Sequence, residues 1–342
     1  MNILITGGAG YIGSHTILEI FENTDWNVIS VDNYSNSTPE TYERIKAISG
    51  KMPEVLELDI CEQDSLERVF EKYKIDGIIH FAALKSVPES VEKPLLYLKN
   101  NLLSLINLLN CTQSHGTTNF IFSSSCSVYG NTADLPVKET TKLERSESPY
   151  AYTKRAGEEI IGQFSNENKR VNFISLRYFN PVGAHKSGKI GELPIGIPNN
   201  LVPYITQTAA GIREQLTIFG DDYNTKDGTC VRDYVHVSDI ANAHVLALRQ
   251  LFETDHTKKH KAINLGTGNG ISVLEAVKAF ERINDLELNY KIGSRRAGDV
   301  AEVYADNTLA KKMLGWEPKR DLDEMMKSAW LWEQELSKID VQ

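Results

Sequence analysis

Three glycines at an even spacing, Gly7, Gly10 and Gly13, stand between a short β-branched run at residues 2–6 and a helical pattern at residues 12–22. Glycines at that spacing let the backbone turn tightly and approach another group closely. The helix that follows points its partly positive N-terminus at whatever occupies the turn, which favours an anion such as a pyrophosphate. A strand, a glycine turn and a helix in this order form the first unit of a doubly wound parallel sheet. The G-x-x-G-x-x-G spacing differs from the commoner G-x-G-x-x-G, so its meaning depends on context.

That context continues along the chain. Asp32 ends the second candidate strand, 19 residues beyond Gly13, where a carboxylate can accept bonds from an adenosine ribose. A carboxylate there repels a 2′-phosphate, and no arginine occurs in Asp32-Asn33-Tyr34-Ser35-Asn36. The expected cofactor is NAD rather than NADP. Candidate strands at 2–6, 27–31, 55–58, 77–81, 119–123 and 172–178 alternate with helical patterns at 12–22, 39–48, 65–73, 90–115 and 149–168. This is the pattern of an α/β chain with a Rossmann-type doubly wound parallel sheet. After Asn180 the alternation breaks down through a Gly- and Pro-rich stretch at 183–203 and a polar loop at 221–228. A strand pattern at 262–265 and helical patterns at 273–282 and 322–336 follow. The expected organisation is an NAD-binding domain at 1–180 and a smaller α/β substrate-binding lobe at 181–342, with some crossing of the chain between them.

Ligands of such sheets collect beyond the carboxyl ends of the strands. Asp59 and Ile60 follow the third strand, and Phe81, Ala82, Ala83 and Lys85 follow the fourth, where small residues would admit a cofactor. Close packing and an exposed turn carboxylate are equally simple readings of these positions. Tyr150-Ala151-Tyr152-Thr153-Lys154 puts a phenol and an ammonium at i and i+4, on one helix face. Ser148 and Pro149 suit the N-cap and first helical position. A free tyrosine titrates near about pH 10, and a neighbouring ammonium favours its phenolate. Tyr150 is thereby a candidate base and Lys154 its activator. Ser123-Ser124-Ser125 closes the fifth strand; any of the three could bind a reacting oxygen, and spacing does not choose among them.

Acidic residues outnumber basic ones by 46 to 37, a balance that argues against general binding to nucleic acid or membrane surfaces. A phosphorylated ligand would need locally placed arginines. Cys61, Cys111, Cys126 and Cys230 are scattered without metal-ligand or disulfide spacing. With no signal-peptide pattern at the N-terminus and no long apolar segment, the expected setting is the cytoplasm, without a metal. Leu95, Leu98, Leu102, Leu105 and Leu109 recur at helical spacing, which fits equally a buried helix and a subunit interface.

Taken together, these residues resemble the UDP-glucose (UDP-galactose) 4-epimerase family of extended short-chain dehydrogenases. The likeness runs over nearly the whole chain, through residues 6–15, 122–125, 128–130, 177–185, 197–201 and 228–234. It implies a reversible 4-epimerisation of a UDP-hexose with tightly bound NAD, through a transient 4-keto sugar. It also implies a catalytic trio of Ser125, Tyr150 and Lys154. Tyr11, Ile12, Asp32, Asn33, Asn36, Ser37, Asp59, Ile60, Phe81, Lys85, Asn100 and Phe179 match the family's NAD contacts. Lys85, Ser125, Tyr150, Tyr178, Asn180, Asn200, Leu201, Thr217, Ile218, Phe219, Arg232, Arg296 and Asp299 match its UDP-sugar contacts. A homodimer through residues 95–109 and 149–168 is implied as well.

One position departs from the glucose-restricted pattern. Val303 falls where such members carry a bulky Tyr, and a small residue there accompanies acceptance of N-acetylated sugars such as UDP-GlcNAc and UDP-GalNAc. An ordinary core valine is the simpler reading of this position, and a slip of one residue in this stretch would instead put Tyr304 at the sugar. Among rival readings, a 4,6-dehydratase would resemble Ser/Thr-Asp-Glu where this chain has Ser125-Cys126-Ser127. A net dehydrogenase or 4-keto reductase shares the trio. A non-catalytic NAD-binding regulator typically loses the Tyr or the Lys, both present here.

Overall fold

The computed structural model describes residues 1–253, 260–296 and 299–339. Six strands come from the first half: β1 (Asn2–Thr6), β2 (Asn27–Asp32), β3 (Glu54–Glu57), β4 (Gly77–His80), β5 (Asn119–Ser125) and β6 (Asn172–Tyr178). With the strand Lys261–Leu265 they form one seven-stranded sheet, ordered Lys261–Leu265, β6, β5, β4, β1, β2, β3. Every pairing in it is parallel. Strand order reverses between β1 and β4, and a crevice opens there at the carboxyl ends.

Successive side chains on a strand point to opposite faces, and both faces here are buried. Ile3 and Ile5 of β1 join one core with Ile79, Ile121, Ile174 and Leu176. Leu4 joins the opposite core with Ile78, Phe120, Phe122 and Phe173. The first core is covered by α1 (Tyr11–Asn23), α2 (Glu40–Ser49) and the helix Val237–Glu253. The second is covered by α3 (Gln63–Lys72), α5 (Pro94–His115) and α6 (Pro149–Glu167).

The single helical pattern expected over 90–115 is two helices, α4 (Val87–Glu92) and α5, broken at Lys93. Pro94 causes the break, because it lacks an N–H and disfavours a helical conformation in the residue before it. Along α5, Leu105 and Leu109 are buried against the sheet. Leu95 is 78% exposed, however, and Leu96 and Ile106 are exposed beside it. The five leucines thus share one face, exposed at the N-terminal end of α5 and buried toward its C-terminal half.

A third core lies in the second lobe, built from Val202, Ile205, Leu216, Ile218, Val277, Phe280, Met325 and Met326. Its helix Leu201–Ala209 falls at the end of the stretch expected to be irregular. Small strands frame this lobe. Leu216–Phe219 pairs with Tyr290–Gly293, and Val231–Arg232 lies between Ile271–Ser272 and Glu302–Val303. The helix Val237–Glu253 and the strand Lys261–Leu265, late in the chain, belong to the large sheet's layers.

Candidate active site

The glycine turn is tight because it has to be. Gly7 has φ +75°, and a Cβ there would lie 2.7 Å from the Ala82 nitrogen. A Cβ at Gly13 would lie 2.3 Å from the Gly7 carbonyl oxygen. At Gly10, by contrast, a Cβ would meet only that oxygen, at 3.2 Å, so its outer side is open. Helix α1 begins beside it with no side-chain cap and no acidic residue in its first turn. Unpaired N–H groups facing open space suit a pyrophosphate. Asp32, 7% exposed, accepts from the Ala9 nitrogen at 3.0 Å with one oxygen. The other accepts from the Tyr34 nitrogen at 3.0 Å and the Ser37 hydroxyl at 2.8 Å. The carboxylate is thereby fixed at the rim of the turn, where the residues present fit a dinucleotide with a free ribose diol.

The other expected cofactor residues lie on the loops that follow β2, β3, β4 and β6 and on α1 and α5. Asn36 donates to the Ala83 carbonyl at 3.3 Å, joining the loops after β2 and β4. Asp59 accepts from the Cys61 nitrogen at 2.8 Å. The Ile60 side chain is in the core, and its carbonyl accepts from Asn107 at 3.0 Å. Phe81 packs its ring 4.7 Å from that of His244, and Phe179 is buried. Asn33 is exposed at the rim, its side chain accepting from the Ser35 nitrogen. Tyr11 reaches across to donate to the Gly183 carbonyl at 2.5 Å, while Ile12 packs against the first core. Asn100 donates to Asn101 at 3.0 Å. The buried Asn101, which no motif marks, accepts from the Leu84 nitrogen at 2.9 Å and donates to Thr153 at 3.1 Å. It ties the loop after β4 to α6.

Tyr150 and Lys154 share the face of α6 that meets β5, because Ser148 caps the helix and fixes where it starts. Lys154 is 6% exposed, donates to the Ser123 carbonyl at 2.8 Å, and sits 5.9 Å from the Tyr150 ring centre. Burial pulls its ammonium down to about 8. Burial pushes the Tyr150 phenol up to about 12, and the facing Ser125 hydroxyl draws it partly back. The three serines now separate. The Ser123 hydroxyl is paired with that of Tyr178, and Ser124 donates to Glu158 at 2.5 Å. Ser125 alone of the three faces the phenol.

On the second lobe, Arg232 donates to the Val231 and Val300 carbonyls at 2.9 and 2.8 Å. Asp299 lies 3.7 Å from Arg232 and accepts from Arg296 at 2.8 Å. Arg296 stands over the exposed Phe219 ring at 5.8 Å. Arg296, 54% exposed on its side chain, thus makes a surface ion pair whose carboxylate also faces Arg232. The Cys126 thiol is pushed up to about 12 by burial, with Arg232 pulling the other way, so the arginine reaches the neighbourhood of the trio. Asp233 is the hub behind it, accepting from Thr267, Gly268 and Ala305 nitrogens at 2.8–3.1 Å.

Val303 is the register partner of Arg232 in a parallel pair, so the two share a face. Tyr304 falls on the other, against Gly270. Asn180 follows β6, its nitrogen donating to the Asp233 carbonyl at 2.9 Å. Asn200 stands at the N-cap position of the helix begun by Leu201, its side chain turned from the helix to donate to Glu192 at 2.8 Å; Lys85 reaches the same carboxylate at 3.2 Å. Thr217 lies beside Ile218 and Phe219 on the strand Leu216–Phe219. Two expected sugar contacts are turned inward: Ile218 is 1% exposed in the lobe core, and the Tyr178 hydroxyl is held by Ser123 within the sheet.

Comparison with known proteins accords with this geometry. A family model described as GDP-mannose 4,6 dehydratase matches residues 4–329. The chain is 48% identical to a UDP-glucose 4-epimerase of Erwinia amylovora, covering 97% of this chain and 98% of that one. It is 46% identical to the human UDP-glucose 4-epimerase, with 97% and 96% covered. A UDP-glucose 4-epimerase structure from Stenotrophomonas maltophila, with bound NAD and formylated UDP-arabinopyranose, superposes with TM-score 0.95 at 44% identity and 99% coverage of both chains. One from Bifidobacterium longum, in complex with NAD+ and UDP, gives TM-score 0.93 at 43% identity and 98% coverage of both. With the fold, the glycine cradle and the Tyr-Lys pair in place and the likeness running along nearly its whole length, the chain belongs to the UDP-glucose 4-epimerase family.

Proposed function

We propose that the chain interconverts UDP-galactose and UDP-glucose, with NAD retained through the cycle. The observation that supports this is the Ser125–Tyr150–Lys154 arrangement at the carboxyl end of β5, in the same parallel sheet whose β1 leads into the glycine turn. The glycine turn at Gly7, Gly10 and Gly13 and the Asp32 carboxylate would hold NAD, which would supply reversible hydride transfer at sugar C4. Tyr150 removes the C4 hydroxyl proton and later returns it to the C4 oxygen, which Ser125 holds by a hydrogen bond. Lys154 favours the phenolate electrostatically. In an otherwise acidic protein, Arg232 and Arg296 supply charge-assisted donors to the diphosphate of the substrate, leaving the sugar free to present either face. Ser125-Cys126-Ser127 offers no carboxylate at the strand end for a dehydration step.

Substrate breadth follows from Val303. A valine on the Arg232 face leaves room beside the sugar C2 substituent that an aromatic ring would fill. Turnover of UDP-GlcNAc alongside UDP-galactose is expected. Val303→Tyr should lower kcat/KM for UDP-GlcNAc at least about tenfold more than for UDP-galactose. Conversion of UDP-galactose but not UDP-GlcNAc by the native chain would discard this reading.

The exposed Leu95, Leu96 and Ile106 of α5, with Tyr152 of α6, supply an apolar surface on two adjacent helices. Such a surface supports a homodimer. Sedimentation should give twice the chain mass at micromolar concentration; a monomer there would refute it. Free Cys61, Cys111, Cys126 and Cys230 support a cytoplasmic setting, and no helix among the described residues is long and apolar enough to cross a membrane.

A further inference from the structure

Ser125 and Tyr150 are joined along the chain by a strap. The chain leaves β5 through the turn Cys126–Tyr129 and returns at the Ser148 cap of α6, just before Tyr150. Within this strap Val137 is wholly buried and pairs with Ala305 in a parallel bridge. Its nitrogen donates to the Tyr304 carbonyl at 2.9 Å, and its carbonyl accepts from the Asp306 nitrogen at 2.8 Å. The strap is thus seated on the backbone that directly follows Val303.

One side chain connects that bridge to the helix of Tyr150 and Lys154. Asn264, on the strand Lys261–Leu265, is wholly buried. Its Nδ2 donates to the same Val137 carbonyl at 3.0 Å, and its Oδ1 accepts from the Tyr129 hydroxyl at 2.6 Å. Its backbone nitrogen donates to Glu139 Oε1, also in the strap, at 2.8 Å. The Tyr129 hydroxyl accepts in turn from Arg177 at 3.0 Å, and Arg177 is paired with Glu158 of α6. Hydrogen bonds therefore run without a gap from α6 through Arg177, Tyr129, Asn264 and Val137 to residues 304–306.

The far end of this chain of bonds belongs to a block tied together on its own account. Asp233 accepts from the Thr267, Gly268 and Ala305 nitrogens. Glu302–Val303 lies along Val231–Arg232, and the Val231 nitrogen donates to the Ala301 carbonyl at 2.8 Å. None of these bonds involves the Asn264 side chain. What that side chain fixes is where the block stands relative to α6. Transfer between bound groups needs the reacting atoms about 3–3.5 Å apart, and a misplacement of about 1 Å can cost about 10²-fold in rate. We propose that Asn264 is a positioning residue for the reaction, setting the spacing between the helix that carries Tyr150 and the block that carries Arg232 and Val303. Sugar C4 is thereby brought to the phenol at a fixed distance. This rests on the reading of Tyr150 as the base and Arg232 as a diphosphate contact given above.

Asn264→Ala cuts both side-chain links and leaves the backbone bond to Glu139. It should lower kcat for UDP-galactose about tenfold or more, with NAD still bound and the Kd for UDP, from calorimetric titration, within about twofold of native. A folded Asn264→Ala chain with kcat within about twofold of native would overturn the proposal. So would a loss of UDP affinity or of bound NAD in step with kcat, which would make Asn264 a scaffold residue only. Should Asn264→Ala fail to fold, Tyr129→Phe, which cuts the link at Oδ1, decides. A fall in kcat of about threefold or more at native UDP affinity supports the proposal, and an unchanged kcat overturns it. A native chain inactive on UDP-galactose would sink the functional reading and this inference with it. An active native chain with unaffected variants would overturn this inference alone.

Discussion

Tyr150→Phe is expected to lower kcat for UDP-galactose by about 10²–10⁴-fold, the usual contribution of a positioned acid-base group. The affinity for UDP should stay near that of the native chain, because the phenol is removed without disturbing the Arg232 side of the cleft. Lys154→Met should act through the same phenol. Burial holds Tyr150 up at about 12 in the free chain, and a cation beside it favours the ionised form. Removing that cation raises the phenol further, so the acidic limb of the kcat profile should move to higher pH. Burial also brings Lys154 down to about 8. The ammonium is therefore present at neutral pH and is lost as pH rises through about 8. An alkaline decline in the native profile that vanishes in Lys154→Met is the expected signature. Superimposable pH profiles for native and Lys154→Met would show that the lysine does not tune the phenol.

Glu158→Ala is expected to destabilise the fold by about 3–5 kcal/mol, the cost of leaving a buried charge without its partner. Glu158 lies on α6 at i+8 from Tyr150 and i+4 from Lys154, so the three share a helix face. Its side chain and that of Arg177 are 7% and 6% exposed. Arg177 donates to both carboxylate oxygens, at 2.9 and 2.5 Å, and Ser124 donates to one of them at 2.5 Å. Arg177 also reaches the Tyr129 hydroxyl at 3.0 Å, which in turn donates to Asn264 at 2.6 Å. This network fastens α6 to the carboxyl ends of β5 and β6, where Ser125 and Tyr150 must meet. A neighbour on the same helix provides the control. Glu159 pairs with Arg155 at 2.9 Å but is 62% exposed on its side chain, and Glu159→Ala should cost about 1 kcal/mol or less. Urea unfolding of both variants checks the contrast. Equal midpoints for the two would contradict the role given to the buried pair.

What could be read from the sequence was local. The bounds of β1 and β6 were legible because apolar and β-branched residues fill strands buried on both faces. β5 extends past its apolar part to Ser125, since its ladder with β6 continues through Ser125 and Tyr178 although serine favours strands little. The helix Val237–Glu253 carries Ile240, Ala243, Ala247 and Leu251 at helical spacing, so its signal lies in the sequence even though it is absent from the candidate elements above. Side-chain partnerships were not legible. Nothing near Glu158 points to Arg177, nothing near Asp233 points to Thr267 and Ala305, and Glu192 carries no motif at all. Likewise, the leucines of α5 have one period but two destinations, and only the packed sheet decides which are covered.

The most direct measurement is incubation of the purified chain with UDP-galactose, without added NAD, followed by chromatographic separation of the nucleotide sugars. UDP-glucose should accumulate to a constant ratio without net formation of NADH, and heat-denatured protein should release NAD. Consumption of UDP-galactose with stoichiometric NADH, or no UDP-glucose from protein shown to hold NAD, would contradict the account.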